Sequence, residues 1–109
     1  MKFDTEYILC AAIWYKEIPL KKQLDGVLPM NCDKGLVVCG FRHPMAMWTM
    51  SCLTGLRSVT HADDGVGENE QGFLTSKNRF VDREEAAEIA FASGQTPTNR
   101  GQLFSEDLY

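Results

Sequence analysis

The chain has 109 residues, 44% of them hydrophobic and 24% charged, which suits one small globular domain over residues 1–109 and leaves no room for a second core. Eleven Lys and Arg against fifteen Asp and Glu give a net charge of -4. That balance excludes a long polyanion such as DNA or RNA duplex, or an acidic membrane, as the main partner, and leaves a small anion in a local basic pocket open.

The longest apolar stretch, Tyr7 to Tyr15, is too short to cross a bilayer, and Asp4 and Glu6 stand where a leader would carry positive charge, so the expected compartment is the cytoplasm. The same stretch predicts a central strand buried on both faces. Residues 18–34, punctuated by Pro19, Gly26, Pro29 and Asn31, predict an irregular connection. A second strand is expected at Leu36-Val-Val-Cys39, between Gly35 and Gly40.

Met45, Trp48, Thr49, Cys52, Leu53 and Leu56 then recur at helical spacing and predict the inward stripe of a first helix. Pro44 suits its first turn, which makes His43 the expected N-cap. Met47 and Met50 lie off that stripe, so this helix is greasier than a small monomer needs, and a subunit interface is expected there. Residues 57–70 are polar and predict a mobile loop, Gln71 to Thr75 a short third strand, and Ser76 to Phe80 a turn. Asp82 with Glu85 has capping-box spacing at the start of a second helix, with Ala86, Ile89, Ala90 and Ser93 on one face and Gly94 at its close. Gln102-Leu-Phe104 predicts a last strand. The fold class expected is α+β, a small, largely antiparallel sheet with two helices on one face.

The four cysteines, Cys10, Cys32, Cys39 and Cys52, form no CxxC pair. Three lie in apolar runs, where a reduced thiol packs as a small hydrophobe. A zinc site with His43 or His61 lacks closely spaced ligand pairs, so no metal and no cofactor is expected.

Two strand-to-helix junctions concentrate polar groups where backbone donors are unpaired and the helix dipole favours negative charge. Phe41-Arg42-His43 brings a guanidinium and an imidazole to the first; Thr75-Ser-Lys-Asn-Arg-Phe80 with Asp82 and Arg83 forms the second. Arginine's planar fork suits phosphate, and Phe41, Phe73 or Phe80 offers a stacking face for a base, which points to a nucleotide. Each residue also has a plain structural role open to it: Arg79 or Arg83 pairing with Asp82, Glu84 or Glu106, His43 capping, Thr75 and Ser76 shaping a turn, and Gly72 marking a bulge or a close approach. Familiar hydrolase and deaminase signatures are absent, and His43 with Asp82 is the only acid–base pair on offer, for a phosphodiesterase or lyase acting on a cyclic nucleotide. An interaction module without a small ligand is the third reading.

At these same positions the chain resembles the Thoeris anti-defence sponges of the first type, a phage family. The resemblance rests on Tyr7 to Tyr15, on Leu36-Val-Val-Cys-Gly-Phe-Arg-His43, on the block from Gln71 to Ala86, and on Leu103-Phe-Ser-Glu-Asp-Leu-Tyr109. It implies a non-catalytic, phage-encoded binder in the host cytoplasm that sequesters a cyclic nucleotide immune signal, chiefly glycocyclic ADP-ribose, without cleaving it. Some relatives also hold cyclic oligonucleotides of the CBASS type, and a homodimer or higher homo-oligomer is implied. The matching positions with suitable chemistry are Arg42, His43, Phe73, Thr75, Asn78, Arg79 and Arg83. A sponge needs nanomolar binding, about -12 kcal/mol. Two arginines at roughly 1.5–3 kcal/mol each and one stacked base supply only part of that, so a site shared by two chains is expected, with the first helix near the seam.

Overall fold

The structure, a computed structural model, describes residues 5–19, 26–60 and 62–109. Strand β1 (Ile8–Tyr15) is followed by β2 (Leu36–Gly40), helix α1 (His43–Thr54), β3 (Asn69–Thr75), β4 (Phe80–Asp82), helix α2 (Arg83–Ala92) and a single 3-10 turn at Ser105–Asp107. The four strands form one antiparallel sheet in the order β2-β1-β3-β4, so the apolar first strand is central, as its composition requires.

Alternation along β1 sends Ala11, Ile13 and Tyr15 to the face that carries both helices, and the register shift between Ile8 and Cys10 brings Ile8 to the same face. Ile8 and Ala11 pack with Phe73, Val81 and the Ala86, Ala87 and Ala90 stripe of α2. Ile13 and Tyr15 pack with Val38 and with Ala46 and Met50 of α1. The opposite face, with Ala12, Trp14, Val37, Leu74 and Phe80, is covered by Leu28 and Cys32 of the connection before β2. An asparagine pins that connection. Asn31 donates from Nδ2 to the Phe80 carbonyl (2.6 Å) and accepts the Phe80 N–H on Oδ1 (2.8 Å), copying the pairing of an extra strand.

Five expectations need correction, the last being the N-cap of α1. Phe80 is not the end of a turn but the first residue of β4, because Asn31 and the Phe73↔Val81 register extend the hairpin. Gln102 to Phe104 is not a strand: the buried Leu103 donates its N–H to the carbonyl of Arg83 (2.9 Å), the first residue of α2, and no ladder with β4 follows from that single bond. The expected loop over 57–70 ends two residues early, since Asn69 and Glu70 already belong to β3; within the described part of it Arg57 pairs with Asp64 (2.8 Å) and bridges Gly65, and Val66 is buried under α1.

The fourth concerns the orientation of α1. Its buried residues are His43, Ala46 and Met50, while Met45, Trp48, Cys52 and Leu53 face outward. The reason is a backbone contact. A Cβ on Gly40 would collide with the main-chain nitrogen of Ala46, so the helix approaches β2 closely along the line of Ala46, with His43 and Met50 buried on either side of it. The N-cap is Arg42, with extended backbone, and His43 is the first helical residue, ahead of Pro44. At the far end Gly55 takes the left-handed conformation (φ 74°), and its N–H donates to the Ser51 carbonyl.

Helix α2 follows its sequence signals. Asp82 accepts the Glu85 N–H (2.8 Å), and Gly94, at φ 83°, ends the helix. Just beyond it, Gln95 donates to the Ile8 carbonyl (2.8 Å) and accepts the Ile8 N–H (2.7 Å), holding β1 where a register shift falls between Ile8 and Cys10.

Candidate functional site

The structure sorts the seven candidate residues into two groups. Arg42, His43, Phe73 and Arg83 gather where α1 begins, beside the middle of β3. Thr75, Asn78 and Arg79 lie at the far end of β3, in the turn to β4.

His43 is buried, and its Nε2 bonds the Gly72 carbonyl (2.8 Å). Its ring meets Phe73 edge-on, with centroids 5.2 Å apart. The Nε2–H tautomer is the one that donates to that carbonyl. Burial pushes the imidazole below its ordinary pKa, and the neighbouring Arg83 guanidinium adds to the shift. Asp82, the other half of the acid–base pair, spends its carboxylate on the Glu85 N–H. Phe73 is wholly buried under α2, so its ring faces core atoms.

Arg42 stands just before α1 and is framed by aromatics. Its guanidinium carbon lies 4.9 Å from the Phe41 ring centroid and 5.2 Å from that of Tyr109. One Nη2 hydrogen goes to the Tyr109 main-chain oxygen, and Nη1 is buried with no partner among the described residues. Phe41 and Tyr109 stack with centroids 4.5 Å apart and remain about half exposed, at 54% and 46%. Arg83, at the start of α2, repeats the arrangement. It sits 4.7 Å from the Phe104 centroid and donates to the Leu103 carbonyl (2.9 Å) and to Gln71 Oε1 (2.6 Å). Burial lowers its pKa from the ordinary arginine value.

Residues 103–109 join these two arginines. The segment leaves α2 at Leu103, turns at Ser105–Asp107, and reaches α1 through Tyr109, whose hydroxyl donates to the Phe41 carbonyl (2.8 Å). Phe104 and Tyr109 each supply a ring to one of the guanidiniums. Sequence reading missed both as partners of the arginines, since Arg42 and Tyr109 stand 67 residues apart and no local spacing joins Arg83 to Phe104; the signal available was the aromatic-acidic tail itself.

Arg79 is engaged otherwise. It donates from Nε and Nη2 to Glu6 (2.9 and 2.8 Å) and from Nη2 to Glu85 (2.9 Å). Thr75 is fully buried, donates to Glu6 (2.5 Å), and accepts the Lys77 and Arg79 N–H groups. Asn78 takes φ 58° to make the turn. These three residues therefore tie the segment before β1 to the hairpin. Glu6 is held below the usual carboxylate range, first by its hydrogen bond to Arg79.

Two hollows flank α2. One of about 220 Å³ lies between Ala87 and the 96–103 segment, lined also by Thr96, Arg100, Gln102 and Asp107. A more open one of about 260 Å³ is shared by Gln71, Asp82, Arg83, Glu84 and Gln102, and there two carboxylates offset the guanidinium. Of the seven candidates only Arg83 lines either.

The family-level sequence pattern described as phage T4 y16D protein matches residues 7–109. The chain belongs to this phage protein family. No curated protein and no solved structure matches it. The matched span in this family member takes in both arginine–aromatic pairs and the segment joining them. Among the described residues no three His, Cys, Asp or Glu side chains cluster as a metal site, and no helix is long and apolar enough to cross a membrane. His61 lies outside the described residues.

The cysteines depart from expectation. All four are free, but only Cys32 is buried; Cys10 is half-buried, and Cys39 and Cys52 are exposed. Gly72 marks a close approach, though not to a ligand: a Cβ there would strike the Val81 carbonyl and the Phe80 ring.

Proposed function

We propose that this y16D-family protein binds a cyclic nucleotide immune signal of the glycocyclic ADP-ribose type and sequesters it without cleavage, as the resemblance to the Thoeris anti-defence sponges implies. The observation that carries the reading is Arg42: a guanidinium over two stacked, half-exposed rings at a helix start, whose buried Nη1 has no partner among the described residues. A phosphate oxygen is the acceptor that such a donor takes best, and the exposed ring faces offer a purine its stacking surface. Arg83 over Phe104 supplies a second cation along the same segment.

The hollows of about 220 and 260 Å³ are smaller than the roughly 300–1,000 Å³ usual for a ligand site, so in this reading a second copy of the chain completes the pocket. The outward apolar face of α1, the helix that Arg42 caps, is the seam it would use.

The test is to incubate the protein with glycocyclic ADP-ribose, denature it by heat, and weigh the released molecule by mass spectrometry. Intact ligand recovered in proportion to protein supports sequestration. A ring-opened product formed in excess over protein transfers the case to a phosphodiesterase or lyase, and no uptake of any cyclic nucleotide leaves a protein-interaction module. Arg42→Ala should weaken binding at least tenfold.

A further inference from the structure

At the end of the sheet face that α1 and α2 leave uncovered, two thiols face each other across strands. The register pairs Ala12 with Cys39 and Ala11 with Gly40, which puts Cys10 diagonally opposite Cys39 on the same face. Both cysteines are free; Cys39 is exposed and Cys10 half-buried behind it. We propose that Cys39 and Cys10 form a thiol-exchange site, in which Cys39 takes up a small thiol from a low-molecular-weight disulfide and Cys10 resolves the adduct into a Cys10–Cys39 disulfide.

The two thiols are unequal in the way the chemistry needs. The neighbouring Cys10 thiol favours the Cys39 thiolate, bringing Cys39 down to about 7, while the same neighbour and burial push Cys10 up. The exposed thiol is thus the attacking one, and the protected thiol is the one left to react second. Closing the bond needs Cβ atoms roughly 3.5–4.5 Å apart, closer than an ordinary diagonal pair. The backbone there has room to adjust. The β1–β2 ladder stops at Ala11↔Gly40, and the register shift between Ile8 and Cys10 breaks the other ladder at the same residue.

The steps balance. The Cys39 thiolate attacks RSSR, forming Cys39–S–SR and releasing RS⁻. Cys10 then loses its proton to solvent and attacks the Cys39 sulfur, forming the intramolecular disulfide and releasing a second RS⁻. The protein loses two electrons, which reduce one RSSR to two thiols.

Oxidised glutathione serves as the probe, with intact-mass and peptide-mass readouts. The native chain should end with no glutathione attached, two fewer hydrogens, and a peptide cross-link between Cys10 and Cys39. Cys10→Ser should retain one glutathione on Cys39, and Cys39→Ser should form no cross-link. Cys52, which is also exposed, is the internal control and should react at least fivefold more slowly than Cys39. A stable adduct on Cys39 of the native chain, a cross-link between other cysteines, or Cys52 reacting as fast as Cys39 would each overturn the proposal. Circular dichroism on both serine variants separates loss of chemistry from loss of fold.

Discussion

Tyr109 lies nearly flat on Phe41, with 13° between the ring planes, and its hydroxyl is bonded to the Phe41 carbonyl. The end of the 103–109 segment is thereby fixed to the residue that leads into α1, just as Leu103 fixes its start to α2 through Arg83. Two helix starts that are far apart in sequence share one strap. Offset aromatic stacking adds to buried area, and the hydroxyl gives the contact a direction.

Cutting that tie should be measurable without any ligand. Tyr109→Ala removes a stack and a hydrogen bond and should cost about 1–3 kcal/mol of unfolding free energy in urea. Tyr109→Phe keeps the ring and should cost about 0.5–1.5 kcal/mol. If both variants melt with the native protein, the strap contributes nothing to stability.

The Glu6–Arg79 cluster makes a different prediction, one of pH. Glu6 has a folded pKa below its ordinary 4.5, so its contribution is present at neutral pH and is lost as the pH falls from about 4.5 through the lower folded value. His43 acts in the same direction at higher pH. Its folded pKa lies below 6.5, so the unfolded chain takes up the proton first, and stability declines as the pH drops below about 6.5. Urea midpoints measured from pH 7.5 to 3.5 should fall in two stages. Glu6→Gln should flatten the lower stage while leaving the upper one, and a native profile flat throughout would contradict both assignments. Arg79→Ala should lower stability by about 1–3 kcal/mol, since it strips hydrogen bonds to charged groups from both carboxylates.

Local signals and long-range contacts divide what was legible. Pro44, the Asp82–Glu85 spacing, Gly94 and the unbroken apolar run of β1 act within a few residues, and each marks an element that forms. Asn31 against Phe80, Gln95 against Ile8 and Tyr109 against Phe41 are side-chain ties across the fold, and no periodicity announces them. The inward stripe of α1 was misjudged because hydrophobicity was weighed above size. The close approach of Gly40 to Ala46 fixes which side of the helix faces the sheet, and that side carries His43, Ala46 and Met50 while Trp48 and Leu53 fall on the other. For the site, the residue types at both helix starts were readable, whereas the rings that partner Arg42 and Arg83 come from a segment expected to be a strand and a tail. The pairing of Arg79 with Glu6 follows from the β1↔β3 register, which brings Ile8 opposite Thr75.

Gly72 gives a sharper test of close packing. It sits in β3 opposite Ala12 and Asp82, where β4 and the Phe80 ring leave no volume for a methyl group, and its carbonyl holds His43. Gly72→Ala should cost about 1–3 kcal/mol through overpacking. Because the strand must shift to accept the methyl, the His43 contact should loosen with it. Because the Gly72 carbonyl bond favours the protonated ring and works against burial, the histidine's NMR pKa in the variant should move further below 6.5. A variant as stable as the native chain, with an unmoved histidine, would show that the strands have slack here.

Trp48, Leu53 and Met45 are 65%, 74% and 41% exposed on one helix of a chain with a small core. Exposed apolar residues scattered singly are ordinary, but Met45, Trp48 and Cys52 recur at three and four residues, the spacing of a helix seam. Self-association through that face follows from the proposed function, which needs a second chain to complete the pocket. Sedimentation of the native protein should show a dimer or larger species in the micromolar range. Leu53→Glu and Trp48→Glu place a charge in the seam and should each shift the population to monomer, with little loss of fold because both side chains point away from the core. If the assembled form is required for the site, the same variants should also lose affinity for glycocyclic ADP-ribose, although neither residue lies beside Arg83 in the hollows flanking α2. A native protein that sediments as a monomer at every concentration, yet binds the signal at nanomolar level, would separate the ligand site from the helix face.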